Sequence, residues 1–384
     1  MDRRRFLSIG TAGLAVAAVP GVAFGQPAAA YGRLLVLVEL KGGNDGLNTV
    51  VPYADPAYYA LRPRLAVRRE DVIPLDERAG LHPALEPLAA SWKSGDLAIV
   101  QGLGYPQPNL SHFRSIEIWD TASKANEYLG DGWLARAFVA KPVPASYAAD
   151  GIVVGSSEFG PLAGPGTRAI ALNDTDQFLR QARLAGGTAK RGNASLNHIL
   201  KVQDDISQAA AQLNPNIAFR TEFPRTPFGN AVRTAAQLAA NPAGIGAIRL
   251  TLNGFDTHQN QPQVHQRLLK DFADGLSALK GALVEVNRWN STLVMTYAEF
   301  GRRPQENNSN GTDHGTAAAH FVTGGLVRGG LYGAAPRLDR LEGGNLQHSV
   351  DFRSLYATAL EKWWGVDSKG PLRGRYPVVD LLKV

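Results

Sequence analysis

Apolar residues recur along this chain in two periods. Residues 33–40 (RLLVLVEL) form a nearly continuous apolar run that ends before Gly42-Gly43, the pattern of a strand buried on both faces of a parallel sheet. Residues 97–102 (LAIVQG), 151–155 (GIVVG), 247–252 (AIRLTL), 291–297 (STLVMTY) and 320–323 (HFVT) repeat the theme. Between them the spacing changes to three and four. Val264, Leu268, Leu269, Phe272, Leu276, Leu279, Leu283 and Val286 make one apolar stripe, which predicts a helix over 264–286 with a wet charged face. Weaker helical patterns cover 196–213 and 228–240. Strands alternating with helices predict an α/β fold with a mostly parallel central sheet covered on both faces. The stretches 186–193 and 214–216 read as exposed connectors that bracket a helical insertion at about 183–241, within one domain spanning 26–384.

Open α/β sheets carry their chemistry at the carboxyl ends of strands, and these ends are unusually polar here. The first strand runs into Lys41-Gly42-Gly43-Asn44-Asp45-Gly46. The second is followed by 104–114 (GYPQPNLSHFR), which leads into a helix expected to turn Phe113, Ile116 and Trp119 inward. Ser111 and His112 then stand at a helix N-terminus, where free N–H groups and the helix dipole favour an anion. Asp256 and His258 follow 247–252. Glu299 and Arg302 follow 291–297, and a polar loop then delivers Asp313-His314-Gly315. Each signal has a plainer explanation when taken alone. Asp45 suits a turn, Asn109 or Ser111 suits a helix cap, and Asp-x-His is a common string. Several strand ends of one sheet bearing acids, Ser and His together point instead to one site. His82, His198 and His265 lack carboxylate neighbours in the sequence and read as structural or exposed.

Composition narrows the chemistry. The chain of 384 residues contains no Cys, which excludes disulfide scaffolds, thiolate metal sites and cysteine nucleophiles. A metal would have to sit on oxygen and imidazole donors, which suit Zn, Mn, Mg or Ca. Residues 1–26 pattern as a targeting segment, with Arg3-Arg4 followed by Phe6-Leu7, a short apolar stretch and Ala23-Phe24-Gly25. They resemble a twin-arginine signal peptide of about 25 residues, which implies the twin-arginine export machinery as a partner and a periplasmic or extracellular location. An uncleaved N-terminal anchor is the alternative. Removing that segment takes three Arg and one Asp from 40 basic and 34 acidic residues, leaving 37 minus 33, or +4. So small a balance gives no reason to invoke nucleic acid.

The ordered motifs GGNDGLN, NLSHFRS, GFDTHQNQ, AEFGRR, GTDHGTAAAHFVTGG and DFRSLYA, behind such a leader, resemble the exported bacterial family known as domain of unknown function 1501. That family resembles the alkaline phosphatase and sulfatase superfamily, which implies an α/β/α sandwich with a one-metal or two-metal hydrolytic centre. On this resemblance Asp45 matches the metal-binding Asp after the first strand, and Ser111 the nucleophile at the next helix. Asp256 and His258 stand for later ligands, spaced closer than the superfamily usually has them. Asp313 and His314 resemble its Asp-His pair, although Glu299 occupies the strand end where that pair normally falls. Either Glu299 or Asp313 could ligate, or both if the loop folds back. His320 and His348 are the candidates for a last His ligand.

The resemblance implies a metal-dependent hydrolase of phosphate or sulfate esters acting on an anionic small-molecule or polymer substrate. Arg114, Arg302 or Arg303 would stabilise the charged group, and His112 would protonate the leaving group. Without Cys, and with no sulfatase motif around Ser111, phosphate esters are preferred. The competing expectation is an exported binding or assembly protein that keeps the fold, holds at most a structural cation and uses the EFGRR loop to engage an exported protein partner.

Overall fold

A computed structural model describes residues 31–172, 211–212 and 217–384. The expected leader, the connectors at 186–193 and 214–216 and most of the helix expected at 196–213 lie outside the described residues. In chain order the strands are β1 (Leu34–Lys41), β2 (Val50–Val51), β3 (Ile73–Pro74), β4 (Gly80–Leu81), β5 (Leu97–Gly104), β6 (Ala149–Val154), β7 (Ala169–Leu172), β8 (Ile245–Asn253), β9 (Thr292–Tyr297), β10 (Arg302–Glu306), β11 (Thr312–His314), β12 (Ala318–Thr323), β13 (Gly330–Tyr332) and β14 (Val350–Asp351). The α-helices used below are α1 (Gly46–Thr49), α2 (Pro56–Leu61), α3 (Ala89–Lys93), α4 (His112–Thr121), α5 (Trp133–Ala140), α6 (Pro227–Ala240), α7 (Gln261–Glu285) and α8 (Phe352–Ala357).

Nine strands form one sheet in the order β13-β5-β12-β9-β1-β8-β6-β7, with β14 also beside β5. All ladders are parallel except those of β12, which runs antiparallel to both β5 and β9. The expected mostly parallel α/β architecture is present. β1 lies at its centre because its alternating positions are apolar on both faces. Leu34, Val36, Val38 and Leu40 pack in one layer with Phe228, Val232, Leu269, Phe272 and Leu276 of α6 and α7. Leu35 and Leu37 pack in the other with Trp119, Trp133, Leu134 and Phe352 of α4, α5 and α8. Each such side chain taken from water contributes roughly 1.5–3 kcal/mol, so this sandwich is the main source of stability.

The predicted stripe of α7 is buried as expected at Leu269, Phe272, Leu276, Leu279 and Leu283, and it continues through two polar side chains, Gln261 and His265. The helix after Ser111 differs from expectation at one position. Trp119 is buried, but Phe113, the second residue of α4, is 89% exposed. The polar loop after Glu299 proves to be a β-hairpin, β10 with β11, in which Arg302 pairs with His314. It folds the Asp313-His314 pair back onto the carboxyl ends of the sheet. Among the described residues no helix is long and apolar enough to cross a membrane.

Candidate metal centre

The carboxyl ends of β1, β5, β8 and β9 and the returning hairpin meet at a cluster of three imidazoles and one carboxylate. His258 Nε2 lies 2.9 Å from His314 Nε2 and 3.1 Å from Asp256 Oδ1. His314 Nε2 is 3.3 Å from the same Oδ1, and His112 Nε2 is 3.4 Å from Asp256 Oδ2. His112, Asp256 and His314 each offer one donor atom, all within 4.8 Å of one another, a set that could hold a small divalent ion, with His258 beside it. The donor set itself suits Zn or a similar transition ion better than Ca or Mg, which favour all-oxygen shells.

Each imidazole is held from behind through Nδ1. His314 Nδ1 is 2.8 Å from the Leu110 carbonyl, which can only accept, so Nδ1 carries the proton and Nε2 keeps its lone pair for the cluster. His258 Nδ1 faces Asp313 Oδ1 at 3.3 Å, and His112 Nδ1 faces Glu299 Oε1 at 2.9 Å. This is the carboxylate-behind-histidine arrangement that fixes tautomer and ring direction at metal sites. The ring of Phe300 packs against those of both His112 and His314, at 4.8 and 4.5 Å between centroids.

The electrostatics follow from these contacts. The bond to Glu299 raises His112 above the usual imidazole value despite its partial burial. Burial lowers His314. Burial pushes Asp256 upward, but the Arg302 guanidinium and the nearby imidazoles overcome it and hold the carboxylate ionised. The bond from Asn307 holds Asp313 down as well.

Glu299 and Asp313 therefore stand behind histidines rather than inside the cluster. Glu299 also receives the amides of Gly42 (3.0 and 3.1 Å) and Gly43 (3.2 Å). Those two residues have φ of +117° and +80°, and a Cβ on Gly42 would lie 2.3 Å from the Asp256 amide nitrogen. Only glycine allows this turn and this close approach. A Glu299→Gln variant, which keeps the shape but weakens the hold on His112, is expected to lower metal affinity by roughly 10–100-fold, read by chelator competition.

Four expected site candidates are placed elsewhere. Asp45 is fully buried, and Arg62 grips it with Nη1 at 2.6 Å from Oδ2 and Nη2 at 2.9 Å from Oδ1. Its Oδ1 also caps α1 through the amides of Leu47 and Asn48, and Gln261 donates to Oδ2. No oxygen of that carboxylate remains for an ion. Arg114 turns away from the site, donating to the carbonyls of Lys124, Ala125 and Glu127 and pairing with Glu117. His320 is buried against Trp119 and Thr296, where burial lowers it to about 3, and it takes no part in the cluster. His348 is exposed.

Arg302 is at the site but is not free to hold a substrate. It is 2% exposed, and it donates to the carbonyls of Gly43, Gly42, Thr312 and Phe255 and, at 2.6 Å, to Asp256 Oδ1. It locks the β1 turn, the β8 end and the hairpin into one piece. Ser111 is exposed at the N-cap of α4, its side chain unused as a cap, and lies between Leu110 and His112, both of which contact His314. Sequence reasoning missed Arg62, for which no local signal exists. His112, expected to protonate the leaving group, stands between two carboxylates, with Nδ1 2.9 Å from Glu299 Oε1 and Nε2 3.4 Å from Asp256 Oδ2.

The fold is thus a mostly parallel α/β sheet with a polar cluster gathered at its carboxyl ends. The model for the family described as "Protein of unknown function (DUF1501)" matches residues 78–370, and the chain belongs to that family. No curated protein matches the sequence. Among solved structures, a protein in the alkaline phosphatase superfamily from Vibrio parahaemolyticus is 11% identical, with 89% of this chain and 69% of that one covered and a TM-score of 0.44. The PsFucS1 sulfatase from Pseudoalteromonas sp. is 10% identical, with 91% and 70% covered and a TM-score of 0.41. The C-terminal periplasmic domain of EcEptC from Escherichia coli is 10% identical, with 89% and 86% covered and a TM-score of 0.43.

Proposed function

We propose that this chain is an exported, metal-dependent hydrolase of phosphate or sulfate esters that works with a single divalent ion. The observation that carries this reading is the convergence of His112, Asp256, His258 and His314, each held by its own outer partner. A second ion is not part of the proposal, because Asp45 is committed to Arg62. When bound, the ion would supply positive charge against the ester oxygens and favour ionisation of a nearby hydroxyl.

The protein's own part is positioning. The N-terminal end of α4, uncapped by any side chain, offers backbone N–H groups to the same ester oxygens. Ser111 supplies the nucleophile: its Oγ loses its proton and bonds to the phosphorus or sulfur as the alcohol oxygen departs and takes up a proton, and water then cleaves the seryl ester, releasing phosphate or sulfate and restoring the hydroxyl. Phosphate esters are preferred because the chain lacks the Cys and the sequence context of sulfatases. Export is supported by the pattern of residues 1–26. Anion stabilisation by Arg114 and Arg302 drops out of the scheme, since both guanidiniums are spent on the protein itself.

The test is elemental analysis of protein purified without chelator, followed by assays on aryl phosphate and aryl sulfate esters. About one equivalent of a transition metal is expected, with turnover lost in Ser111→Ala while its metal content stays unchanged. Protein that takes up no metal after exposure to Zn or Mn would sink this reading and favour the binding role.

A further inference from the structure

Beside the cluster opens a cavity of about 700 Å³ that shares His112, Asp256 and Glu299 with it. That volume lies in the range of small-molecule sites. Phe113, Ile116 and Leu129 give it an apolar wall, and Phe113 is the most exposed large apolar residue described. Its ring is thereby free to pack on an apolar part of a ligand.

The charged part of the wall is mainly acidic. Glu117, Asp131 and Glu158 face the cavity with side chains 35%, 36% and 58% exposed. Two of the cations that balance them sit behind the surface: Arg114, beside Glu117, is 9% exposed, and Arg136, beside Asp131, has a side chain 13% exposed. Among the described residues the basic side chains lining the cavity are His112, at the cluster, and Lys41, which is tied to Glu158 at 2.6 Å. Asp120, deeper in the same wall, is pushed up to about 8 by burial and adds no charge at neutral pH. A ligand entering here therefore meets apolar carbon and carboxylates.

We infer that this cavity receives the alcohol portion of the ester, and that it selects an apolar group carrying a positive charge while rejecting polyanions. The inference rests on the proposed ester hydrolase and names its substrate class. The ester anion would sit at the cluster and the α4 N-terminus, and the cation would sit among Glu117, Asp131 and Glu158. A polymer bearing a negative charge on every unit would set like charges against this wall. The expectation of an anionic polymer substrate is thereby narrowed to an ester whose only anion is the reacting group.

The test is calorimetric binding of three non-hydrolysable probes to zinc-loaded protein at low salt: phenylphosphonate, its 4-trimethylammoniomethyl derivative and its 4-carboxy derivative. The cationic probe is expected to bind about tenfold or more tightly than the carboxylated one, a difference that shrinks in the double variant Glu117→Gln/Glu158→Gln. Phe113→Ala is expected to weaken all three probes while leaving inorganic phosphate unaffected. Equal or tighter binding of the carboxylated probe, or no binding of any probe to protein that holds zinc, would overturn the inference and leave the metal centre standing. Benzyltrimethylammonium and benzoate, measured without metal, separate the two ideas. Protein that binds no zinc yet still prefers benzyltrimethylammonium would overturn the hydrolase reading instead.

Discussion

The double variant Asp256→Asn/His314→Ala is expected to remain folded and to retain no divalent ion through a desalting step. Folding should survive because both side chains stand at the surface of the site, 48% and 22% exposed, and neither belongs to the apolar layers. Asn at 256 still offers an oxygen to Arg302, so the guanidinium that joins the β1 turn to the hairpin keeps its bonds. Metal binding should fail because the change removes the only anionic donor and one of three imidazoles. Loss of an outer partner alone costs roughly 10–100-fold at metal sites, and two direct donors cost more than that. Elemental mass spectrometry beside circular dichroism reads both halves of the expectation. Unchanged metal content in a folded double variant would remove the cluster from consideration as a metal centre.

A second large effect is expected at Asp45, with the opposite signature. Asp45→Ala leaves the Arg62 guanidinium fully buried and without its charged partner, which typically costs about 3–5 kcal/mol. The milder Asp45→Asn keeps an acceptor for Arg62 and should fall in melting temperature by less, with metal content unchanged in whatever remains folded. Were Asp45 a ligand, Asp45→Asn would lose metal while melting nearly as the wild type does.

The surroundings of Asp45 also predict sensitivity to acid. His265, bonded through Nε2 to Asn44 Oδ1, and His82 packed beside it are lowered by burial to about 3 and about 4. Below pH 6.5 the unfolded chain takes up protons at these two positions that the folded chain refuses, so their contribution to stability falls as pH drops toward 4. Asp45 itself is held low by Arg62 against the upward push of burial. Its contribution is present above the ordinary carboxylate range and is lost at still lower pH. Melting temperature across pH 7 to 4 should therefore decline less in a His82→Gln/His265→Gln variant than in the wild type.

Local pattern alone carried a large part of this protein. The runs around Val36, Ile99, Ile152, Leu250 and Val294 became strands of one sheet because an unbroken apolar run can be satisfied only between two covering layers. The stripe through Leu269, Phe272 and Leu276 became α7 because its spacing matches the helical period. The polar ends of those strands pointed to the right region, since parallel strands present their carboxyl ends together, and Asp256, His258 and His314 were recognisable there by residue type.

What those residues do was decided by contacts between parts of the chain far apart in sequence. Asp45 looked like a ligand until Arg62, the residue after α2, and Gln261, at the start of α7, closed on it. Glu299 and Asp313 had the chemistry of ligands but were turned to the Nδ1 sides of His112 and His258. Arg302, expected to stabilise the charged group, was drawn inside by five carbonyl and carboxylate oxygens of three separate segments. A carboxylate or guanidinium has the same composition whether it binds an ion, a substrate or its own protein. Which of these it does depends on the partner that reaches it first in the folded chain, and that partner is supplied by the packing of the sheet and its loops rather than by neighbours in sequence.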